Sequence, residues 1–253
     1  AALKDDLDGL ILAPGFPRKI VPLLDEAAAR KLPVVCVNTD APGTRLSTVS
    51  TDPVTSGSMV AELMGRFMGG SGRVLLVTGQ ITTMDHANKI RGFRRTVGGL
   101  WPSIEIVAVV EAHDDEAEAY TKCREVLDRT PDVAGVYVGT ANSPPVIRAL
   151  RDAGLLGRVT LVTSDLFPAL VPHVESGAIA ATIDQRPWVQ GQMAFSTLYR
   201  FLAEGATPPA YVRLVPHVVM RSNVRLFLER LRTTTDGAEG PAADAALTQA
   251  KPA

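Results

Sequence analysis

The chain has 253 residues, room for one large domain or two small lobes. Hydrophobic residues make up 46% and charged residues 21%, with a formal net charge of −1. That balance supports a real core and excludes a basic nucleic-acid-binding surface within this chain, so any DNA reader would have to lie outside it. No apolar run approaches the ~18 residues of a membrane span.

In chain order, short β-rich apolar runs recur at Leu10–Ala13, Val34–Val37, Val74–Thr78, Ile104–Val110, Ala134–Val138, Val159–Thr163, Ala178–Ile183 and Val212–Met220. Most are continuous rather than alternating, which predicts strands buried on both faces of parallel sheets. Helical patterns lie between most of them. Val60, Leu63, Met64 and Phe67 form one apolar stripe, with Asp52 as N-cap and Pro53 in the first turn. Asp114–Arg129 starts acidic and ends basic, matching the helix dipole. Ser143 and Pro144 repeat the cap-and-proline device, and Ala194, Thr197, Leu198 and Phe201 form a late stripe. Strand–helix alternation means βαβ units and an α/β fold with parallel sheets. The opening AALKDDLDGLILAP reads as a helix end running into a buried strand, and residues 232–253 read as a disordered tail.

Local catalytic signatures are missing. No GxxxxGK[ST], GxSxG, HExxH or CxxC occurs, and Gly69–Gly72 follows a helix and precedes a strand, the wrong order for a phosphate loop. His86, His113, His173 and His217 are too scattered to hold a metal. Cys36 and Cys123 read as buried thiols rather than a disulfide. The expectation is a binding protein with no cofactor, not an enzyme. In open parallel sheets ligands bind beyond the carboxyl ends of strands. That rule selects Asn38, Thr39 and Asp40, then Gly79–Thr83, then Thr140 and Asn142, then Asp165, then Gln185, with Trp188 as the one aromatic near them. Hydroxyls, amides and carboxylates at five strand ends suit a polyhydroxylated ligand. For Asp52, Ser143 and Asp165 a helix-capping role competes, and Trp188 reads equally as packing at a helix start.

A family resemblance becomes specific at Val74-Leu-Leu-Val-Thr-Gly79 followed by Lys89-Ile-Arg-Gly-Phe93. Asp8–Ala13, Leu32–Val37, Ser50–Asp52 followed by Gly57, Ser164-Asp165, Gly177–Gln185 followed by Gly191, and Val218–Val224 agree in order and spacing. Together they resemble the effector-binding core of lactose-repressor-type (LacI/GalR) transcription regulators, a periplasmic-binding-protein-like fold of type I also used by the sugar-binding proteins of ABC-type transporters.

The resemblance implies two Rossmann-like lobes clamping a ligand, joined by crossovers near Ser50, Asp184 and Tyr211. The first lobe would be 1–50 plus 186–210, N-terminally truncated. The second would be 51–185 plus 211–231. It further implies a carbohydrate effector bound by Asn38, Asp40, Lys89, Asp165 and Gln185, with Thr140 and Asn142, picked by the strand-end rule, at a turn that departs from the family's common Asn-Asp pair, and hinge closure that alters DNA binding by a missing helix-turn-helix. A homodimer of the full-length regulator and a cytoplasmic location follow from that reading. A periplasmic location follows from the transporter alternative.

Overall fold

The computed structural model describes residues 6–41 and 43–235. Its elements run β1 (Leu10–Leu12), α1 (Pro17–Ala29), β2 (Val34–Val37), β3 (Ser47–Thr51), α2 (Pro53–Phe67), β4 (Ser71–Thr78), α3 (Met84–Leu100), β5 (Ser103–Glu111), α4 (Glu116–Arg129) and β6 (Val133–Val138). They continue with α5 (Ser143–Asp152), β7 (Thr160–Ser164), a 3-10 turn and α6 (Val171–Glu175), β8 (Ala181–Asp184), α7 (Pro187–Glu204), β9 (Tyr211–Leu214), β10 (His217–Val219) and α8 (Val224–Thr235).

Two sheets result. One has the order β1-β2-β3-β9 and is wholly parallel. The other has the order β10-β8-β7-β6-β4-β5, parallel except where β10 pairs antiparallel with β8. Val74 and Leu76 face one apolar cluster while Leu75 and Val77 face another, so this sheet is buried on both sides, as the unbroken apolar runs required. The smaller sheet is sandwiched likewise, between Leu24 and Ala27 of α1 and Ala194 and Leu198 of α7. Each sheet with its helices makes one lobe.

The chain passes between the lobes after Thr51, after Gln185 and between Leu214 and His217. Three departures from the sequence-based expectation concern these passages. The run 212–220 is not one strand. Pro216 lacks the N–H that a continuous ladder needs, and the two halves join different sheets. Hence 211–214, expected in the second lobe, belong to the first sheet. β3 was not predicted at all, because its sequence is Ser-Thr-Val-Ser-Thr; Ser47, Thr48 and Thr51 are nonetheless buried. Ser143 is the first residue of α5 rather than its cap; Asn142 is the cap and makes no capping hydrogen bond with its side chain. Asp52 and Asp115 do cap, each accepting from a backbone N–H at 2.7 Å. Arg232–Thr235 are helical, and the rest of the predicted tail lies outside the described residues.

Helices α2 and α3 touch backbone to backbone. A Cβ on Gly57 would stand 1.9 Å from the Lys89 carbonyl oxygen, and one on Gly92 would stand 2.1 Å from the Val54 carbonyl oxygen. Only glycine fits either place. Gly98, near the end of α3, has nothing within 4 Å. Gly57→Ala and Gly92→Ala should each cost about 3 kcal/mol as overpacking, and lower the melting temperature by roughly 6–12 °C. Gly98→Ala should instead leave it unchanged or raise it. Scanning calorimetry of the three variants checks this.

Candidate functional site

Loops at the C-terminal ends of strands from both lobes line the gap between them, where open α/β sheets hold ligands. On the second lobe, β4 leads through Gly79 into α3. A Cβ at Gly79 would stand 2.4 Å from Asp114 Oδ1 and 2.5 Å from His86 Cε1, so the side chains of Asp114 and His86 close over the turn. Thr83, the N-cap of α3, makes no capping bond with its side chain; its hydroxyl donates to the Gly15 carbonyl of the first lobe at 3.3 Å. That contact joins the lobes directly and leaves the first N–H groups of α3 without a side-chain cap.

Asp85 and Lys89 sit one turn apart on α3 and form an ion pair at 2.7 Å, with side chains 6% and 2% exposed. Lys89 Nζ also donates to the Gly139 carbonyl at 3.3 Å. Burial works against its charge, but Asp85, Tyr137 and Asp165 outweigh burial and hold its pKa above the ordinary lysine value. Lys89 is therefore a lasting buried cation. His86 is its opposite: burial first and then Lys89 depress the imidazole, which is neutral at pH 7 and accepts the Gln80 N–H on Nδ1 at 2.9 Å. Asp165 follows β7 with a left-handed φ of 69°. Its carboxylate accepts from Gln185 Nε2 and its carbonyl from Thr182 Oγ1, both at 2.6 Å. Thr140 donates to Asp114 at 2.6 Å.

The passages between lobes are tied together. The hydroxyl of Thr51 donates to the Gln185 carbonyl, and Gln190 Nε2, on α7, bonds the same carbonyl at 2.6 Å and Thr51 Oγ1 at 3.2 Å. The third strand of chain joins through Asp52 N–H to the Leu214 carbonyl at 3.1 Å.

On the first lobe, Asn38 follows β2 with φ 68°, turning Thr39 and Asp40 into the gap. The Asp40 carboxylate is saturated. It accepts from the Ala41 N–H, Thr48 Oγ1, the Tyr211 hydroxyl and Arg45, whose nearest contact is 2.6 Å. Between the lobes lies a cavity of ≈ 230 Å³, just below the ~300–1,000 Å³ usual for small-molecule sites. Its first-lobe wall includes Asn38, Thr39, Asp40, Tyr211 and Arg213; its second-lobe wall combines Met84, Asp85, Asn88 and Arg91 of α3 with Asp52, Pro53 and Val54 at the start of α2. Two of these residues carry a buried polar atom without a hydrogen-bond partner among the described residues, Thr39 Oγ1 and Asp85 Oδ1. The two residues line the cavity from opposite lobes.

A family model described as periplasmic binding protein domain matches residues 1–207. The chain belongs to this family. This periplasmic binding protein domain is 23% identical over 210 residues to the D-ribose/D-allose-binding protein of Pseudomonas aeruginosa, covering 80% of this chain and 65% of that protein. It is 22% identical over 178 residues to the ribose import binding protein RbsB of Haemophilus influenzae, covering 70% of this chain and 60% of that protein. It thus spans less than two thirds of the length of these curated relatives. The crystal structure of GanP, a glucose-galactose binding protein from Geobacillus stearothermophilus, matches with a TM-score of 0.83 at 25% identity, covering 88% of this chain and 80% of that one.

Within this binding-protein domain, Lys89, Asp165 and Gln185 come together in one network, with Thr140 nearby on the β6 end. Lys89 is not among the residues lining the cavity, although its ion-pair partner Asp85 is. Asn142 keeps a buried Nδ2 without a partner among the described residues. Asp40 lines the cavity but its oxygens are already occupied. Trp188 lies outside the cavity lining, half exposed in the first turn of α7, so neither stacking in the cavity nor packing accounts for it. Asp85, Asn88, Arg91, Tyr211 and Arg213 were not predicted. The signals were a stripe at 84, 85, 88 and 91 along α3 and alternate positions along β9, both readable only once the cavity side of each element is known.

Both cysteines are buried and unpaired. Burial pushes the Cys36 thiol up to about 11 and the Cys123 thiol up to about 12. A thiol-specific reagent at pH 8 should label neither until denaturant is added, as absorbance of the released chromophore will show. Because both folded values lie above the unfolded one, stability should fall as pH rises from about 9. Asp40→Asn should lower stability by about 2 kcal/mol, since it leaves the half-buried Arg45 without its charge partner. Chemical denaturation measures that loss.

Proposed function

We propose that this domain is the sugar-binding component of an ABC-type import system, working on the outer side of the membrane, and not a regulator's effector domain. What supports the transport reading over the regulator first expected is that its relatives are named as sugar-binding and import proteins. No helix among the described residues is long and apolar enough to cross a membrane. The first lobe is taken as 6–51 with 186–215, the second as 52–185 with 216–231, and the two as closing on a sugar about the three tied passages.

The observation that carries the reading is that Thr39 and Asp85, which line the cavity from opposite lobes, each hold a buried side-chain oxygen without a partner among the described residues. A buried polar atom left unpaired costs about 1–3 kcal/mol. A sugar offers hydroxyls that both donate and accept, so one ligand satisfies both atoms and thereby holds the lobes together. Behind Asp85, Lys89 holds the carboxylate in place through their ion pair. The network of Lys89, Asp165 and Gln185 then acts mainly through Asp85, with Asn38, Asp40, Thr140 and Asn142 shaping the rim.

Thermal-shift screening of pentoses and hexoses, followed by calorimetry, tests this. Asp85→Asn should weaken the hit ten- to a hundredfold, the worth of a hydrogen bond to a charged group, about 1.5–3 kcal/mol. Thr39→Val should weaken it up to about tenfold while raising the melting temperature of the unliganded protein, because an unpaired hydroxyl is replaced by a methyl. Unchanged affinity in both variants would refute the site.

A further inference from the structure

The charges around the cavity do not cancel. Each carboxylate in its wall has a cation of its own: Asp40 has Arg45 at 2.6 Å, Asp52 has Arg213 at 3.4 Å, and Asp85 has Lys89 at 2.7 Å. Arg91, exposed on the α3 wall, has no ion pair among the described residues. Arg94 and Arg95, one turn further along α3, are exposed and likewise have no ion pair there. The Asn88 amide, between Asp85 and Arg91 on the same face, is also without a bond among the described residues. This wall therefore carries one uncompensated positive charge, with further positive field behind it.

The apolar side of the cavity points the same way. Tyr211 is the one aromatic residue in its described lining. Its ring already carries two guanidinium groups, Arg45 at 5.0 Å and Arg213 at 5.2 Å from the centroid. Little ring face remains for a sugar to stack on, so recognition must come from polar and charged contacts. The start of α3 adds N–H groups without a side-chain cap beside Met84 and Asp85, with the positive end of the helix dipole. The buried, unpartnered Thr39 hydroxyl, on a residue 6% exposed, closes the opposite wall.

We infer that the ligand is an anionic polyol, a sugar acid or sugar phosphate, with hydroxyls on Asp85 and Thr39 and its negative group on Arg91 and Asn88. The inference rests on the sugar-binding reading above and sharpens it to a charge class. Asp85 and Arg91 are six residues apart, about 9 Å along the helix axis, so the hydroxyl end and the charged end of one ligand are read by different turns of α3.

The test is calorimetry of the whole chain with D-glucose, D-galactose, D-glucuronate, D-galacturonate and D-glucose 6-phosphate at low and high salt. At least one anion should bind ten times more tightly than its neutral counterpart, with the margin shrinking as salt rises. The carboxylate and phosphate arms tell which group is meant. Arg91→Gln should erase the margin, and Arg91→Lys should restore part of it. Arg91 is exposed, so melting curves of these variants should match the parent. A neutral sugar binding as tightly as its anion, or a margin that survives Arg91→Gln, overturns the anionic class while leaving sugar binding intact. Failure of all five compounds to bind overturns both.

Discussion

The arrangement depends on one close approach, the backbone contact of α2 with α3 at Gly57 and Gly92. With any side chain at either position the helices would separate. Lys89 would then lose the enclosure that lets it reach both Asp85 and the end of β6. Because that face of α3 is committed to the core, the neighbouring face, carrying Met84, Asp85, Asn88 and Arg91, is fixed toward the first lobe. A packing requirement between two helices thus sets the chemistry of a cavity wall. A buried ion pair is poor evidence of stability by itself, since desolvation offsets much of the attraction. Here its clearer consequence is orientation: Lys89 takes one oxygen of Asp85 and leaves the other without a partner among the described residues.

The lobes are joined in two different ways. Thr51, Gln185 and Gln190 tie the passages through buried hydrogen bonds that involve both lobes and cost little to keep during a small rotation. The contact between Thr83 and Gly15 is a single neutral bond at the far side of the gap, worth about 1 kcal/mol. Such a bond alone would hold a closed form weakly. On the proposed reading, a ligand that satisfies Thr39 and Asp85 at once would add more than this bond does and so favour closed lobes.

Much of the fold was legible in the sequence. Unbroken apolar runs such as Val74–Thr78 required a parallel sheet covered on both faces, and Asp52-Pro53 marked a helix start that the structure confirms. What failed had physical causes. β3 is built of serine and threonine whose hydroxyls are buried near the lobe junction, with Ser47 bonded to the Pro209 carbonyl and Thr48 to Asp40, so hydrophobicity gave no sign of it. Pro216 splits an apolar run into two strands of different sheets, which a periodicity reading joins. For the site, rules about strand ends selected Asp165 and Gln185, the family resemblance added Lys89, and the structure joins Asp165 to Gln185 by a hydrogen bond with Lys89 close enough to feel the Asp165 charge. Neither could say that Lys89 stays out of the cavity lining or that Asp40 is fully bonded, because both depend on side chains from distant segments.

A crystal structure of this chain with a bound sugar or sugar acid bears most directly on the central claim. The account requires ligand oxygens within hydrogen-bonding distance of both Thr39 Oγ1 and Asp85 Oδ1, with the lobes closed over them. A ligand seated elsewhere, or one touching only a single lobe, would contradict it.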